Sequence, residues 1–397
     1  MRRVGGIPRP GRRGREITDA DGAGSRDTGR MVRSRGSGRW WSPAAALAGV
    51  LAAATMSAAA AAAAPPPTIL VHGMRITSIA ATSRMLVWRS YSAAPYRGGP
   101  TCDAVIRSRR WGSGLVRTVF RCKPRSEGEP GEMALGTSGT VFTRVFLHFG
   151  GCCDSEFLTN LRTAARPGID SSDHFSGCGG DDIRGLAARG GLTAYGKLEW
   201  TSTSCPGNPD IGTETLTGGG VYTFPPGGNP LPLVGTPAPA FIALSTTRLA
   251  VVPYDLANPP VNAAPGPLPE IQIWNLATRS LERTIPETAV IRALAMRGDQ
   301  VVAMVGLHGR RLDRFSASTG LRTASRAVSS VTAPSLAVYE RWIVYPVGRT
   351  IRVLNTRSNR VRIVATLARP PRGVLAVRGR AIWLAGTGTR ISAVPLS

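Results

Sequence analysis

The feature that most limits how this chain can fold is a short element that recurs seven times: a large apolar residue, an alanine, a turn, and then an apolar run. The pairs are Ile79-Ala80, Met133-Ala134, Leu186-Ala187, Ile242-Ala243, Leu294-Ala295, Leu336-Ala337 and Leu375-Ala376, at successive spacings of 54, 53, 56, 52, 42 and 39 residues. The C-terminal copies align by eye as LAMRGDQVVAMVG from Leu294, LAVYERWIVYPVG from Leu336 and LAVRGRAIWLAGTG from Leu375. The runs after the turn, such as Met85 to Trp88, Leu249 to Val252 and Ile343 to Tyr345, are short and rich in β-branched and aromatic residues. Gly, Pro or polar residues bound them, which marks them as strands. A repeat of this length means that one supersecondary unit is stacked many times, each copy unable to bury its apolar face alone.

A third element recurs in the C-terminal half: IQIWNLAT from Ile271, LDRFSAST from Leu312 and IRVLNTRS from Ile351. Each is an alternating strand that ends in a Thr/Ser/Gly/Asn turn and leads into another strand (Leu281 to Ile285, Leu321 to Ser325, Val361 to Leu367). One repeat is therefore four antiparallel strands, a to d, in about 40 residues, the size of one propeller blade. The expected fold is all-β, a seven-bladed β-propeller spanning residues 65–397, with a six- or eight-bladed ring as the runner-up. Alanine in strand a has a steric reason, because innermost strands converge on an axis where a large side chain would clash. The last repeat supplies strands a (Gly373 to Val377), b (Ala381 to Ala385) and c (Arg390 to Leu396). Its fourth strand is expected from Thr68 to Gly73, so that the N-terminal strand closes the last blade and hides an aggregation-prone edge.

The segment IQIWNLATRS from Ile271 resembles the strand-turn portion of WD40 repeats, and the whole pattern resembles the β-propeller superfamily of WD40-like and TolB-like repeat proteins. The resemblance implies the architecture of residues 68–397 and assigns no exact family. The Gly-His pair of WD40 blades is absent, and Trp-Asp occurs only as Trp274-Asn275. No quinoprotein Ala-x-Asp-x-x-Thr-Gly signature recurs, so no quinone cofactor is expected.

Residues 1–64 read differently. MVRSRGSGRWW from Met31 supplies Arg33, Arg35 and Arg39 ahead of an Ala/Leu/Val stretch from Pro43 to Ala64, followed by Pro65, Pro66 and Pro67. This is the pattern of a signal peptide, with small residues for cleavage near Ala60 to Ala64. The true start is Met1 or Met31, and the mature domain is expected to be secreted or extracytoplasmic. A retained anchor is the alternative, since the stretch just reaches the length of a span, although alanine contributes little to insertion. No cysteine precedes Cys102, which excludes a lipid-modified N-terminus.

The net charge of +25 is almost all arginine; Lys123 and Lys197 are the only lysines. Removing the leader leaves 38 basic and 20 acidic residues, net +18. GC-rich coding accounts for part of that bias, yet a basic surface also attracts polyanions through its long-range field. The expected partner is a protein or an anionic cell-wall polymer, with no specific nucleic acid and no membrane span after cleavage; the chain is expected to be a monomer.

The first four repeats are longer than the rest, with the surplus between strands b and c: Ser92 to Thr101, Gly150 to Glu156, Ser202 to Thr213 and Ala257 to Pro269. In a propeller these loops share a face with the d–a loops, and enlarged loops on one face mark a binding side. The candidate binding residues there are Tyr96, Asp154, Glu156, Asp173, His174, Asn208, Asp210 and Asn258. Trp111 and Phe175 join Tyr96 as loop aromatics able to stack on sugars. Six cysteines between positions 102 and 205 suit an oxidising compartment. Cys102 and Cys122 flank one hairpin and are expected to pair; Cys152, Cys153, Cys178 and Cys205 share the enlarged face as two bridges of open connectivity. A zinc site is the alternative, without a CxxC pair to support it. Asp170, Asp173, His174, Asp181 and Asp182 offer oxygen ligands for Ca²⁺, at a spacing that matches no defined calcium loop. No cofactor and no resident metal are therefore expected. No Gly-x-Ser-x-Gly, His-Glu-x-x-His or phosphate-binding glycine loop occurs. The reading is an exported, non-catalytic binding or scaffold protein; the alternative is an extracellular polysaccharide lyase or hydrolase using acids of the second and third repeats.

Overall fold

The apolar runs become strands in a computed structural model that describes residues 66–73, 75–91, 104–121, 129–136, 139–147, 153–160, 170–175, 179–202, 213–225, 228–258, 264–329 and 335–397. These residues belong to the unit Ala62–Ser397, which is separate from Met1–Ala61. The predicted leader lies outside the described residues.

Strand β1 (Thr68–His72) comes first. A four-stranded sheet follows from β2 (Ile76–Ala81), β3 (Met85–Tyr91), β4 (Ala104–Arg110) and β5 (Val116–Arg121). The next eight strands form one sheet: β6 (Glu129–Gly136), β7 (Gly139–Leu147), β8 (Cys153–Asn160), β9 (Asp170–Phe175), β10 (Gly179–Arg189), β11 (Leu192–Ser202), β12 (Glu214–Phe224) and β13 (Leu231–Leu233). Three four-stranded sheets come after it. They are β14 (Pro239–Leu244), β15 (Arg248–Pro253), β16 (Glu270–Asn275) and β17 (Ser280–Pro286); β18 (Ile291–Arg297), β19 (Gln300–Val305), β20 (Arg311–Ser316) and β21 (Arg322–Ala327); and β22 (Ala337–Tyr339), β23 (Trp342–Val347), β24 (Thr350–Asn355) and β25 (Arg360–Thr366). Finally β26 (Gly373–Val377), β27 (Arg380–Leu384) and β28 (Arg390–Pro395) take β1 as their fourth strand.

The described residues therefore form a six-bladed propeller, which corrects the expectation of seven blades. The repeats centred on Ala134 and Ala187 are fused into one eight-stranded sheet, because β9 and β10 pair through Phe175↔Gly179 and His174↔Gly180. Only residues 176–178 separate these two strands, a connection of hairpin length that lets an outer strand run straight into the next inner one. Gly179 and Gly180 sit at φ 81° and 127°, backbone that side-chain-bearing residues rarely adopt. A Cβ on Gly179 would also lie 2.5 Å from the Trp200 carbonyl oxygen. The repeat count read from the sequence was a count of four-strand units, and it missed this hydrogen-bonded bridge.

The ring closes as expected of the N-terminal strand. β1 runs antiparallel to β28 with Thr68↔Ala393, Ile69↔Ser392, Val71↔Ile391 and His72↔Arg390, interrupted by a bulge at Leu70. The bulged Leu70 carbonyl accepts from Arg109 Nη1 of β4 at 2.6 Å, a link from the first sheet to the last. Beneath it, Val71, Ile76, Leu86, Trp88, Ile382, Leu384 and Ile391 form the core of the seam.

Inner strands β2, β6, β10, β14, β18, β22 and β26 touch in succession, and β26 meets β2. The recurring alanines sit where neighbouring sheets approach. Ala80 shares a buried cluster with Leu135 of β6, and Ala243 shares one with Ile291 and Met296 of β18. Second strands such as β15, β19 and β23 are buried on both faces, whereas the outer β5 and β21 are largely exposed. That gradient is what sheets stacked face to face require. The c–d turns carry their own chemistry: Asn275 Oδ1 accepts from the Ala277 and Thr278 amides at 2.9 and 3.1 Å, and Asn355 Oδ1 from the Arg357 and Ser358 amides at 3.0 and 3.3 Å. These are Asx turns, and the repeated Asn positions announce them in the sequence. Substituting Ala243→Leu should overpack the sheet boundary and cost about 1–3 kcal/mol. Urea unfolding should show it as a lower midpoint at unchanged slope.

Candidate functional site

Long connections leave β3, β11 and β15, between residues 91 and 104, 202 and 214, and 253 and 270. All three are b–c connections, so they emerge on one face of the ring. Asn258 is exposed at the start of the third, whose neck is closed by the Tyr254↔Pro267 bridge. Asp154 and Glu156 lie on β8, and Asp173 and His174 on β9, in strands where loops were expected. Their register sets Asp154 opposite His174, Ser155 opposite Asp173 and Glu156 opposite Ser172. Four of the eight sequence-predicted residues thus lie on one strand pair, with Asn258 in a connection of the next sheet. Tyr96, Asn208, Asp210, Cys102, Cys122, Cys152, Cys178 and Cys205 lie outside the described residues; Cys153 opens β8, and its side chain lies outside them as well.

Asp170, Asp173, His174, Asp181 and Asp182 lie on strands β9 and β10. Asp182 Oδ2 accepts from Trp200 Nε1 at 3.1 Å and pairs with Arg184 at 3.5 Å, and Asp181 pairs with Lys197 at 3.6 Å. Among the described residues, no group of three His, Cys, Asp or Glu is placed to hold a metal ion.

A charge cluster that sequence reasoning missed lies on the same face. Glu287, in the β17–β18 connection, and Asp313, on β20, both have fully buried carboxylates. Arg311 Nε donates to Asp313 Oδ2 at 2.7 Å and its Nη2 to Glu287 Oε1, while Arg322 Nη2 donates to Glu287 Oε2 at 2.9 Å. The Glu287 amide also donates to the Pro269 carbonyl at 2.7 Å, which ties the third long connection to this cluster. Burial opposes ionisation of Glu287. The Thr288 amide and the charges of Arg311 and Arg322 outweigh it and hold its carboxyl below the usual range. The only local signal was Arg311-Leu-Asp313, two residues on one face of a strand; Glu287 arrives from a connection 24 residues earlier, beyond any local pattern.

A group whose folded pKa is depressed contributes stability above its unfolded value, about 4.3 for Glu, and loses it as pH falls through the folded value. Glu287→Gln should therefore cost about 2 kcal/mol at neutral pH, below the usual range for a broken buried pair because both arginines keep partial solvent contact. The variant should also lose less stability than the wild type between pH 5 and 3 (about the Glu range), as read from urea unfolding across that window.

The a–b and c–d turns emerge on the opposite face, and there the charge is unbalanced. Arg189, Arg297 and Tyr339 end inner strands β10, β18 and β22. The Arg297 guanidinium lies 4.1 Å from the Tyr339 ring centroid, within cation–π range. Burial first, and the Arg297 charge second, push the Arg189 pKa below its ordinary value. Neither arginine has a carboxylate partner among the described residues, in contrast to Arg248, which bonds Glu282 at 2.6 Å. Arg110, Arg341, Arg378 and Arg380 add four further cations without such a partner on this face. The sequence showed these arginines as scattered single residues; the fold gathers them onto one side.

No family model matches the chain, and none of the curated proteins compared with it matches. Solved structures do share its architecture. The crystal structure of the computationally designed Ika8 protein is similar at a TM-score of 0.50 and 15% identity, covering 83% of this chain and 98% of that one. The WD40 β-propeller domain of Doa1 gives a TM-score of 0.49 at 10% identity, covering 84% and 97%. At such identities the likeness concerns fold alone. The class defined here is an all-β propeller, without a particular family. No helix among the described residues is long and apolar enough to cross a membrane.

Proposed function

We propose that this protein is an exported, non-catalytic binding scaffold whose propeller engages an anionic cell-wall polymer. The observation that supports the reading most is the Arg189/Arg297 pair. Two guanidinium groups held half-buried and near each other are costly without a counter-charge, and an anionic ligand supplies one. Their position at the ends of inner strands sets that ligand over the ring axis, the place where several sheets contribute side chains at once. The signal-like leader supports export, and the clustered cysteines support an oxidising compartment with disulfides.

Two other readings rest on specific observations. The long connections of β3, β11 and β15 share one face and support a protein partner there. The Asp154↔His174 register pair, beside Asp173 and Glu156, supports the alternative of a polysaccharide lyase or hydrolase.

The exported chain should co-sediment with an insoluble polyuronate and not with a neutral glucan, and binding should weaken steeply between 50 and 200 mM salt (about the range over which polyanion binding collapses). Arg189→Gln with Arg297→Gln should lower affinity by about tenfold, the equivalent of one lost charge-assisted contact. Equal binding to both polymers, or indifference to salt, would contradict the reading. Release of new reducing ends or unsaturated sugars during the incubation would transfer it to the enzyme class. The mass of the exported N-terminus tests cleavage near Ala60 to Ala64.

A further inference from the structure

Between the first and last sheets, on the arginine-rich face, lies a cavity of about 480 Å³ lined by Thr68, Leu70, Leu86, Arg109, Arg110, Trp111, Gly112, Arg378 and Arg380. It is built from the two ends of the ring: the start of β1, the β4–β5 turn of the first sheet and the β26–β27 turn of the last. Its walls have two chemistries. Leu70, Leu86 and the Trp111 ring form an apolar side, with the indole fixed by its Nε1 donating to the Thr82 carbonyl at 2.7 Å. The other side is cationic. Arg109 is occupied by backbone carbonyls of Leu70 and Ser113, whereas Arg110, Arg378 and Arg380 are exposed and their guanidinium groups make no hydrogen bond or ion pair among the described residues.

The backbone reinforces the point. Arg378 stands at φ 54° beside Gly379 at φ 64°, the conformation of a tight hairpin turn that favours Gly, Asn or Asp. Arginine there costs local stability, and folding of the turn gives no reason to place it.

We propose that this seam cavity is a binding subsite for an acidic sugar unit, its ring against Trp111 and Leu70 and its oxyanion held by Arg110, Arg378 and Arg380. An apolar platform beside convergent guanidinium groups suits a pyranose, which has one aliphatic face and, when acidic, a carboxylate or phosphate at its edge. A free inorganic anion would leave the apolar wall unused, and a neutral sugar would leave three cations unpaired. The subsite deepens the polymer-binding reading and rests on it for its biological setting, but it makes its own prediction about a short ligand.

The test is calorimetric titration of the exported chain with a trigalacturonate, a sugar phosphate, inorganic phosphate and a neutral trisaccharide, with indole fluorescence recorded in parallel. Either acidic sugar should bind at least tenfold more tightly than the other two probes and perturb the fluorescence; which of the two binds better identifies the oxyanion. Arg378→Gly should leave the melting temperature equal or higher, because the turn prefers glycine, while affinity for the acidic sugar falls about tenfold. Trp111→Phe should lose the fluorescence change. Equal affinity for inorganic phosphate, or full retention of affinity in Arg378→Gly, would overturn the subsite. Retained polymer co-sedimentation with no short-ligand binding would sink the subsite and leave the scaffold reading standing; loss of co-sedimentation with short-ligand binding intact would do the reverse.

Discussion

The pairing of β1 with β28 is the constraint on which the rest depends. Stacked sheets bury their faces against one another, so every sheet in the ring relies on having a neighbour on both sides. A chain that merely curled would leave its first and last faces bare, with Ile76, Leu86, Trp88, Ile382 and Ile391 exposed to water. Pairing the N-terminal strand into the last sheet joins the ends by hydrogen bonds and removes an edge. Arg109 strengthens the joint by satisfying the bulged Leu70 carbonyl from the other side. The same closure creates the seam cavity, since its lining comes from both ends of the chain.

Electrostatics then divide the ring into two unlike faces. On the b–c and d–a side, buried carboxylates of Glu287 and Asp313 consume the charge of Arg311 and Arg322, and the Glu287 amide ties the cluster to the Pro269 carbonyl. On the a–b and c–d side, arginines reach solvent or one another with few acids to answer them. A net basic composition alone would have distributed attraction for polyanions evenly. The fold sets Arg110, Arg189, Arg297, Arg341, Arg378 and Arg380 together on one face without carboxylate partners among the described residues, while Arg248 there pairs with Glu282 and Asp299.

How legible all this was depended on the range of each interaction. The inner alanines, the strand runs and the Asn275 and Asn355 turns are local patterns, and they read directly as β-strands and Asx turns. The closing strand was legible because one repeat lacked a partner that the N-terminal run could supply. The blade number was not, because fusion of two repeats hangs on two residue pairs around Gly179 and Gly180, which no periodicity announces. Asp154, Glu156, Asp173 and His174 were singled out as loop residues and turn out to lie on the paired strands β8 and β9, with Asp154 opposite His174; the sequence named the residues, and only register could show that one pair. Glu287 and the Arg189, Arg297 and Tyr339 group were invisible in advance, since each member comes from a different strand or connection and nothing links them before the ring is built.

Amide hydrogen exchange read residue by residue across Thr68–His72 tests the central claim most directly. If the N-terminal strand closes the ring, its hydrogen-bonded amides exchange as slowly as those of β28, and both segments open together. Exchange of Thr68–His72 at unfolded-chain rates while β28 stays protected would show the ring to be open, and the seam cavity would lose its foundation.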